Sequence, residues 1–598
     1  MCRISGIISK ELPLQEMESM VDEMSYLQKH GGPDDNGKYT SSSGFAVLAN
    51  RRLSLLDLSD QGHMPMSYVN RFYITYNGEI YNFLELKKEL ISLGHTFQNN
   101  TDTAVILAAF AQWGTLCFNK LNGMFAFALW DDLEQELFLV RDSVGIKPLY
   151  YYQSSSMLAF TSEVNAFNAI PETQIKNDNW PVLLMSYGFI PEPLTTLKSV
   201  KILPKGFFLN YSTVKDEISL QSFCHFSFSN NIIDETSAIE SIKNQLSKSV
   251  KKHLFADSPI GIFLSGGLDS TILAYLASQI EDTNLKFISI YFDDDKYSEK
   301  KYQDTIINQI KADAYQFLVT KDNFKNSFPS ILNDMDQPCS DGINTWFISN
   351  FTSSIGIKAA LSGLGSDELF GGYPSFDRIK FAFSINKLPN KIKLLSKFSS
   401  SKKINRIQYL KLEGIKGIYL FLRGHFVPFE TASHLGSYEY EIWQILKETP
   451  IFSTIYENSP KNISSWLEFN IYMQNQLLRD SDVMGMKNGV EIRVPFLDKE
   501  LINSVFSITP DIKFKTSQPK QLLIKAYKDL IPAAIWDRPK MGFNLPFDLW
   551  FRDNDYVKEL ILNGNKAFKK SFVKFQEGKL HWSNLMSLII INHRKHSF

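Results

Sequence analysis

The stretch 258–277, SPIGIFLSGGLDSTILAYLA, constrains this chain more tightly than any other. Its apolar run from Pro259 to Leu264 suits a buried parallel strand, and apolar residues resume from Thr271 at a density that fits a helix packed on a sheet. Between them Ser265, Gly266, Gly267, Leu268, Asp269 and Ser270 break the pattern. Strand, glycine turn and helix in that order aim unpaired backbone N–H groups and the positive end of a helix dipole at one anion, and the glycines let a phosphate approach the main chain. The string lacks the GK[ST] ending that sends a lysine to a terminal phosphate, and carries instead Asp269, a side chain suited to magnesium. Taken alone, the string also fits a tight turn with a capping Asp or Ser.

A second glycine turn narrows the choice. After the short apolar run KAAL (358–361) come Ser362, Gly363, Leu364, Gly365, Ser366, Asp367 and Glu368. If its geometry repeats the first, Asp269 and Asp367 face each other across a bound pyrophosphate and share magnesium. Strand-like LKFISIYF (285–292) and AYQFLVT alternate with helical segments around 302–310, which predicts a parallel, doubly wound sheet with ligands at the carboxyl ends of its strands.

The chain begins Met1, Cys2, Arg3. Removal of Met1 makes Cys2 a thiol nucleophile with a free α-amine on the same residue, whose reference pKa of about 7.7–8.0 suits a general base. A cysteine packed in an edge strand is the plainer reading, and further strings weigh against it. Arg52, Leu53 and Ser54 lie in NRRLSLLDLS, Asn77, Gly78 and Glu79 in YNGEIYN, and Asp102 in NTDTAVILAAF. Arg52 can pair with an α-carboxylate, Glu79 and Asp102 can neutralise an α-ammonium, and Asn77 with the Gly78 N–H can donate to an oxyanion. Strand-like FYITYNG and ELFLVRD alternate with helical FLELKKELISLG and TAVILAAFAQWG, which predicts a sheet-and-helix sandwich.

These strings together resemble the N-terminal-nucleophile, class II glutamine amidotransferase domain over residues 2–205. The resemblance implies an αββα sandwich and glutamine hydrolysis by Cys2, with Arg52, Leu53, Ser54, Asn77, Gly78, Glu79 and Asp102 binding glutamine. With DQPCSDGINTWFIS (336–349), LLRDSDVMGMKNGVEIRVPFLD (477–498) and RPKMGFNLP (538–546), nearly the whole chain resembles the glutamine-hydrolysing asparagine synthetases, whose second domain has the pyrophosphate loop of the ATP pyrophosphatases. Between 205 and 236 the pattern loosens into short apolar pairs punctuated by Ser, Asn and charge, which places a linker at 206–235 and a synthetase domain at 236–598. The resemblance further implies ATP held by Phe263, Ser265, Gly266, Gly267, Asp269, Ser270, Ile290, Ser362 and Gly363, magnesium on Asp269 and Asp367, and Lys540 facing the reacting phosphate. The implied reaction adenylates aspartate and amidates it to asparagine, and the family allows a homodimer.

Three departures bear on this. Gly31 stands where the family's HRGPDD string has arginine, Ala104 where an acidic residue commonly follows the pocket Asp, and Leu364 where some asparagine synthetases have Glu. A leucine can neither bind an ammonium nor take a proton, so Leu364 opens a second reading in which the acceptor is another carboxylate, such as a sugar acid. Arg493, amid apolar residues, reads as a structural ion-pair partner, and the Ser- and Lys-rich tract 388–408 as a surface excursion without chemistry.

Composition excludes other classes. Lys plus Arg is 63 against 64 Asp plus Glu, so nothing favours nucleic acid or an anionic membrane, and small ligands are the expected partners. Cys2, Cys117, Cys224 and Cys339 are scattered without a CxxC pair, and no segment reaches the roughly 18 apolar residues of a membrane span. The expected location is cytoplasmic.

Overall fold

The first strand sets the N-terminal layers. In the computed structural model, which describes residues 2–280, 285–399, 401–451, 455, 457–516, 518–542 and 545–596, strand β1 (Cys2–Ile8) sends Ile4 and Ile8 into one apolar cluster and Ile7 into another. A strand buried on both faces needs a layer on each side. Strands β1, β2 (Asp35–Thr40), β3 (Ala46–Arg52), β4 (Met66–Tyr68), β5 (Phe72–Ile80), β6 (Gly123–Asp131), β7 (Glu136–Arg141), β8 (Tyr150–Gln153), β9 (Leu158–Thr161), β10 (Val200–Ile202), β11 (Phe207–Ser212) and β12 (Glu217–Ser222) form two sheets, ordered β10-β8-β9-β1-β3-β2 and β12-β11-β7-β6-β5-β4. Between the sheets Ile4, Ile8 and Leu48 meet Ala128, Trp130 and Leu139. Outside, Met17, Val21 and Met24 of the helix Leu14–Leu27 cover Ile7, while Leu86, Leu90 and Val105 from helices Phe83–Ser92 and Asp102–Trp113 cover the other sheet. This is the expected αββα sandwich.

The linker expected at 206–235 is a correction. Strands β11 and β12 fall inside it and extend the second sheet, with β11 pairing β7 from Phe208↔Val140 to Ser212↔Glu136. Short apolar pairs punctuated by Ser and Asn look loose in sequence, but Phe208 and Leu209 are buried once β7 lies beside them.

The third sheet holds β13 (Ile260–Phe263), β14 (Lys286–Tyr291), β15 (Asp313–Leu318), β16 (Ala359–Leu361) and β17 (Glu491–Arg493), in the order β15-β14-β13-β16-β17, with every pair parallel. From β13 the chain winds one way to β15 and then returns to build β16 on the other side, so the winding reverses between β13 and β16. Ligands of open parallel sheets bind in the crevice at such a reversal, beyond the strands' carboxyl ends. Both glycine turns start there.

The tract 388–408 is also not a mere excursion. It forms helices Asn390–Leu395 and Lys402–Asn405, and Ser396, Asn405 and Gln408 are buried. The lysine-rich composition hides the turns of helix that face inward.

Charged groups are buried where the sandwich meets the rest of the chain. Arg3 is fully enclosed, with Nε 2.8 Å from Glu163 and Nη1 2.8 Å from Asp482. Lys487 lies 3.3 Å from Glu163, and Arg493 lies 3.2 Å from Glu79. Beside these ions, Met124, Val144 and Ile146 of the sandwich share an apolar cluster with Leu361 and Ile492.

Burial alone would raise the Glu163 pKa, but Lys487, His30 and Arg3 hold it well below the ordinary carboxylate range. A group so depressed stabilises the fold above its unfolded pKa, and that contribution is lost as pH falls. Arg3→Met removes one buried partner each from Glu163, which keeps Lys487 and His30, and from Asp482, which keeps Lys147 at 3.5 Å, so we expect a loss of about 3 kcal/mol in chemical denaturation at neutral pH, shrinking toward acid pH.

Candidate functional site

Two sets of side chains gather, one at the start of β1 and one at the carboxyl ends of β13 and β16. Cys2 sits opposite Arg52 of β3, and its backbone N donates to Asn77 Oδ1 at 3.2 Å. That bond occupies the Asn77 oxygen and leaves Nδ2, which is buried with no hydrogen-bond partner among the described residues. A buried donor left unpaired costs about 1–3 kcal/mol, so this one suits an acceptor that arrives with a ligand. A Cβ on neighbouring Gly78 would stand 2.2 Å from the Met124 carbonyl oxygen, so only glycine lets β5 lie this close to β6. Burial raises the Cys2 thiol pKa, while the amino terminus, a Leu53 backbone hydrogen bond and Arg52 oppose the rise.

The surrounding polar groups are held by neighbours. Arg52 donates to the carbonyls of Ser59 at 3.1 Å, Leu56 at 3.3 Å and Asp57, and no ion pair joins it to a described carboxylate. Asp102 accepts from Tyr76 Oη at 2.8 Å and Ile80 N at 2.9 Å. Burial pushes Glu79 up to about 8, with Glu491 and Asp102 adding to the rise and Arg493 opposing it. Leu53 is buried, and Ser54 N donates at 2.8 Å to Asp34, which in turn pairs with Lys358 just before β16. The missing arginine at Gly31 is offset in space: a Cβ there would lie 2.7 Å from Arg3 Cγ, so the Arg3 side chain fills that room. Ala104 N bonds the Thr101 hydroxyl that caps its helix.

At the other centre Gly266 takes φ +84°, and Gly267 caps the helix Leu268–Ser278. Ser265 Oγ accepts from Gly267 N at 3.2 Å and lies 3.1 Å from Ser270 Oγ, closing the turn. The second turn comes in contact with the first. Ser366 Oγ donates to Asp269 at 2.7 Å, and a Cβ on Gly363 would lie 2.8 Å from Asp269 Cβ. Asp269 and Asp367 do converge, and Lys520 Nζ lies between them at 2.5 and 2.6 Å. Lys540 Nζ is also 2.6 Å from Asp367. Burial would raise the Asp367 carboxyl, but Lys520 and Lys540 hold it at about 2. Phe263, Ser265, Asp269, Ser270, Ser362 and Gly363 line one cavity of about 240 Å³, and Asp367, Lys520, Arg538 and Lys540 line another of about 840 Å³ that also touches Asp269. Ile290 lies in the core instead, with its carbonyl taken by Gln303 at 3.1 Å.

Comparison with known proteins bears on both centres. The glutamine amidotransferase domain model matches residues 1–224, and the asparagine synthase model matches residues 241–574. The chain belongs to the asparagine synthase family. It is 29% identical over 587 residues to the glutamine-hydrolyzing asparagine synthetase 1 of Bacillus subtilis, covering 94% of this chain and 90% of that one. A putative glutamine-hydrolyzing asparagine synthetase 2 of Methanocaldococcus jannaschii is 32% identical over 439 residues, 69% of this chain and 83% of its own. At 24% over 600 residues, covering 90% of this chain and 86% of the other, the family likeness extends to amidase chry2 of Gibberella zeae.

Sequence reading passed over Lys520 and Arg538. Lys520 opens the helix Gln521–Tyr527 from a left-handed backbone conformation and carries no local signal. Arg538 lies in the quoted RPKMGFNLP, where it donates to Gly266 O at 2.9 Å and pairs with Glu299 at 2.7 Å. Lys520→Met should raise the Asp367 pKa from about 2 toward the ordinary carboxylate range, as followed by carboxyl-carbon NMR titration.

Proposed function

We propose that this chain is a glutamine-dependent amide ligase that spends ATP to AMP and pyrophosphate. In this reading the Cys2 α-amine, free of Met1, takes the thiol proton, and sulfur attacks the side-chain carbonyl carbon of glutamine. Asn77 Nδ2 and the Gly78 N–H hold the oxyanion, the carbon–nitrogen bond breaks, ammonia leaves, and water releases glutamate from the thioester. Arg52 pairs with the glutamine α-carboxylate, Glu79 and Asp102 with its α-ammonium, and Leu53 and Ser54 close the pocket. In the second centre an acceptor carboxylate oxygen bonds the α-phosphorus of ATP as pyrophosphate departs, with Lys540 meeting the developing charge. Ammonia then bonds the acyl carbon, loses a proton and expels AMP.

Asp269 and Asp367 converge on one point within 2.6 Å, a donor pair that fits a magnesium bringing phosphate oxygens of its own, and Lys520 would share that place. Bound there, magnesium would neutralise the leaving pyrophosphate. Phe263, Ser265, Gly266, Gly267, Ser270, Ser362 and Gly363 cradle the nucleotide in this reading, with Ile290 behind them. The apolar cluster of Met124, Val144, Ile146, Leu361 and Ile492 between the centres supports a dry passage for ammonia. We place the domain boundary after β12, ahead of the helix Glu235–His253.

The observation that carries the proposal is the meeting of Asp269 and Asp367 on one cation at the winding reversal. Aspartate is the acceptor that the names of the relatives suggest. A different carboxylate is the second reading, favoured by Leu364, which lines the smaller cavity with an apolar side chain.

Cys2→Ala is expected to abolish glutamine-dependent amide formation while free ammonia still supports it; a folded variant inactive with both would refute this division. Asp269→Asn should suppress pyrophosphate release with either nitrogen source. Because Glu79 must ionise to hold an ammonium and its pKa is about 8, the KM for glutamine should fall as pH rises toward 8. Glu79→Gln should flatten that profile.

A further inference from the structure

Beside the adenylation centre lies a further cavity of about 690 Å³, within the size range of small-molecule sites. It shares Tyr373 and Asp341 with the cavity around Leu364, so the two cavities adjoin at those side chains. Cationic side chains outnumber carboxylates along its lining. Arg406 lines it and makes no hydrogen bond or ion pair with another described residue. Among the described residues Arg378 donates to the carbonyls of Leu422 at 3.0 Å and Pro374 at 3.4 Å. Arg552 Nε is buried without a partner among the described residues. Arg423, by contrast, is neutralised by Glu468 at 2.7 Å and lies 3.6 Å from the centre of the Tyr472 ring.

Asp341 and Asp548 are the carboxylates on this wall, and Asp341 is already engaged by Gly342 N at 2.9 Å and Gln476 at 3.4 Å. Three further lining residues, Tyr187, Ser340 and Tyr419, have hydroxyls that are buried with no partner among the described residues. Unpaired guanidinium groups are suited to an anion, preferably in bidentate form, and orphaned hydroxyls to other hydroxyls.

We propose that the acceptor is a polyhydroxylated carboxylic acid with a second, remote anionic group, of the sugar-acid phosphate class. Its carboxylate lies by Leu364 on the side of Lys540, its body between Tyr373 and Tyr419, and its second anion against Arg406 and Arg378. Leu364 then packs on a carbon skeleton, where an acidic side chain would meet like charge. The inference rests on the ligase reading and gives it a substrate class.

The test measures pyrophosphate release with ATP, magnesium and ammonia, offering in turn L-aspartate, D-glucuronate, D-glucuronate 1-phosphate and UDP-glucuronate. The phosphorylated acids are expected to outpace aspartate by about tenfold or more, and Arg406→Gln to raise their KM by a similar factor. The KM for ATP and the glutaminase rate should stay at wild-type values, the latter reporting an intact fold. Equal or better turnover of aspartate, with no effect of Arg406→Gln, overturns the proposal and leaves the ligase reading standing. So does stimulation of aspartate turnover by an unconsumed glucuronate 1-phosphate, which would make the cavity a regulatory anion site. Absence of pyrophosphate release with all four acids removes the ligase reading, and this inference with it.

Discussion

Parallel pairing of β13 with β16 is the contact on which the second half of the molecule depends. It sets Ile260 against Ala359 and Ile262 against Leu361, and so brings two turns nearly a hundred residues apart to one edge of the sheet. Neither turn has a long side chain where they meet. Gly363 passes within 2.8 Å of Asp269 Cβ when a Cβ is built on it, so any larger residue would push the loops apart. With the loops in place, Ser366 reaches Asp269, and Lys520 spans both carboxylates.

The same sheet ties the second centre to the first. Ser362 N donates to the Arg493 carbonyl at 2.8 Å, and the Arg493 side chain pairs with Glu491 at 2.5 Å and Glu79 at 3.2 Å. One residue of β17 thus touches the second glycine turn through its backbone and the Cys2 side through its guanidinium. Breaking a buried pair of this kind leaves an uncompensated charge in a poorly polarisable place, which costs more than a surface contact does. The interface is therefore held to one geometry by its ions and made dry by the apolar cluster beside them.

Much of the architecture was legible because it rests on local pattern. The apolar run of 285–292 and the two Ser-Gly turns mark their elements without help from the rest of the chain. Misreadings fell where burial comes from a distant partner. Strands β11 and β12 look like linker until β7 pairs with them, and the tract ending at Gln408 looks solvated until its inward residues pack. Arg406, within that tract, is no different in sequence from the lysines around it.

By itself the sequence determined the two glycine turns, the leading Cys2 with its Asn, Gly, Glu and Arg company, and an α/β chain of two units. These follow from residue types at short spacing, where backbone freedom and side-chain chemistry act within a few positions. Only the tertiary structure decided that Lys520 lies between Asp269 and Asp367, that Arg3 fills the room beside Gly31, and that arginines share a cavity near Leu364 with hydroxyls that have no partner among the described residues. Each of these depends on contacts between segments far apart in the chain, and no local pattern encodes which distant cation or hydroxyl will be left without a partner.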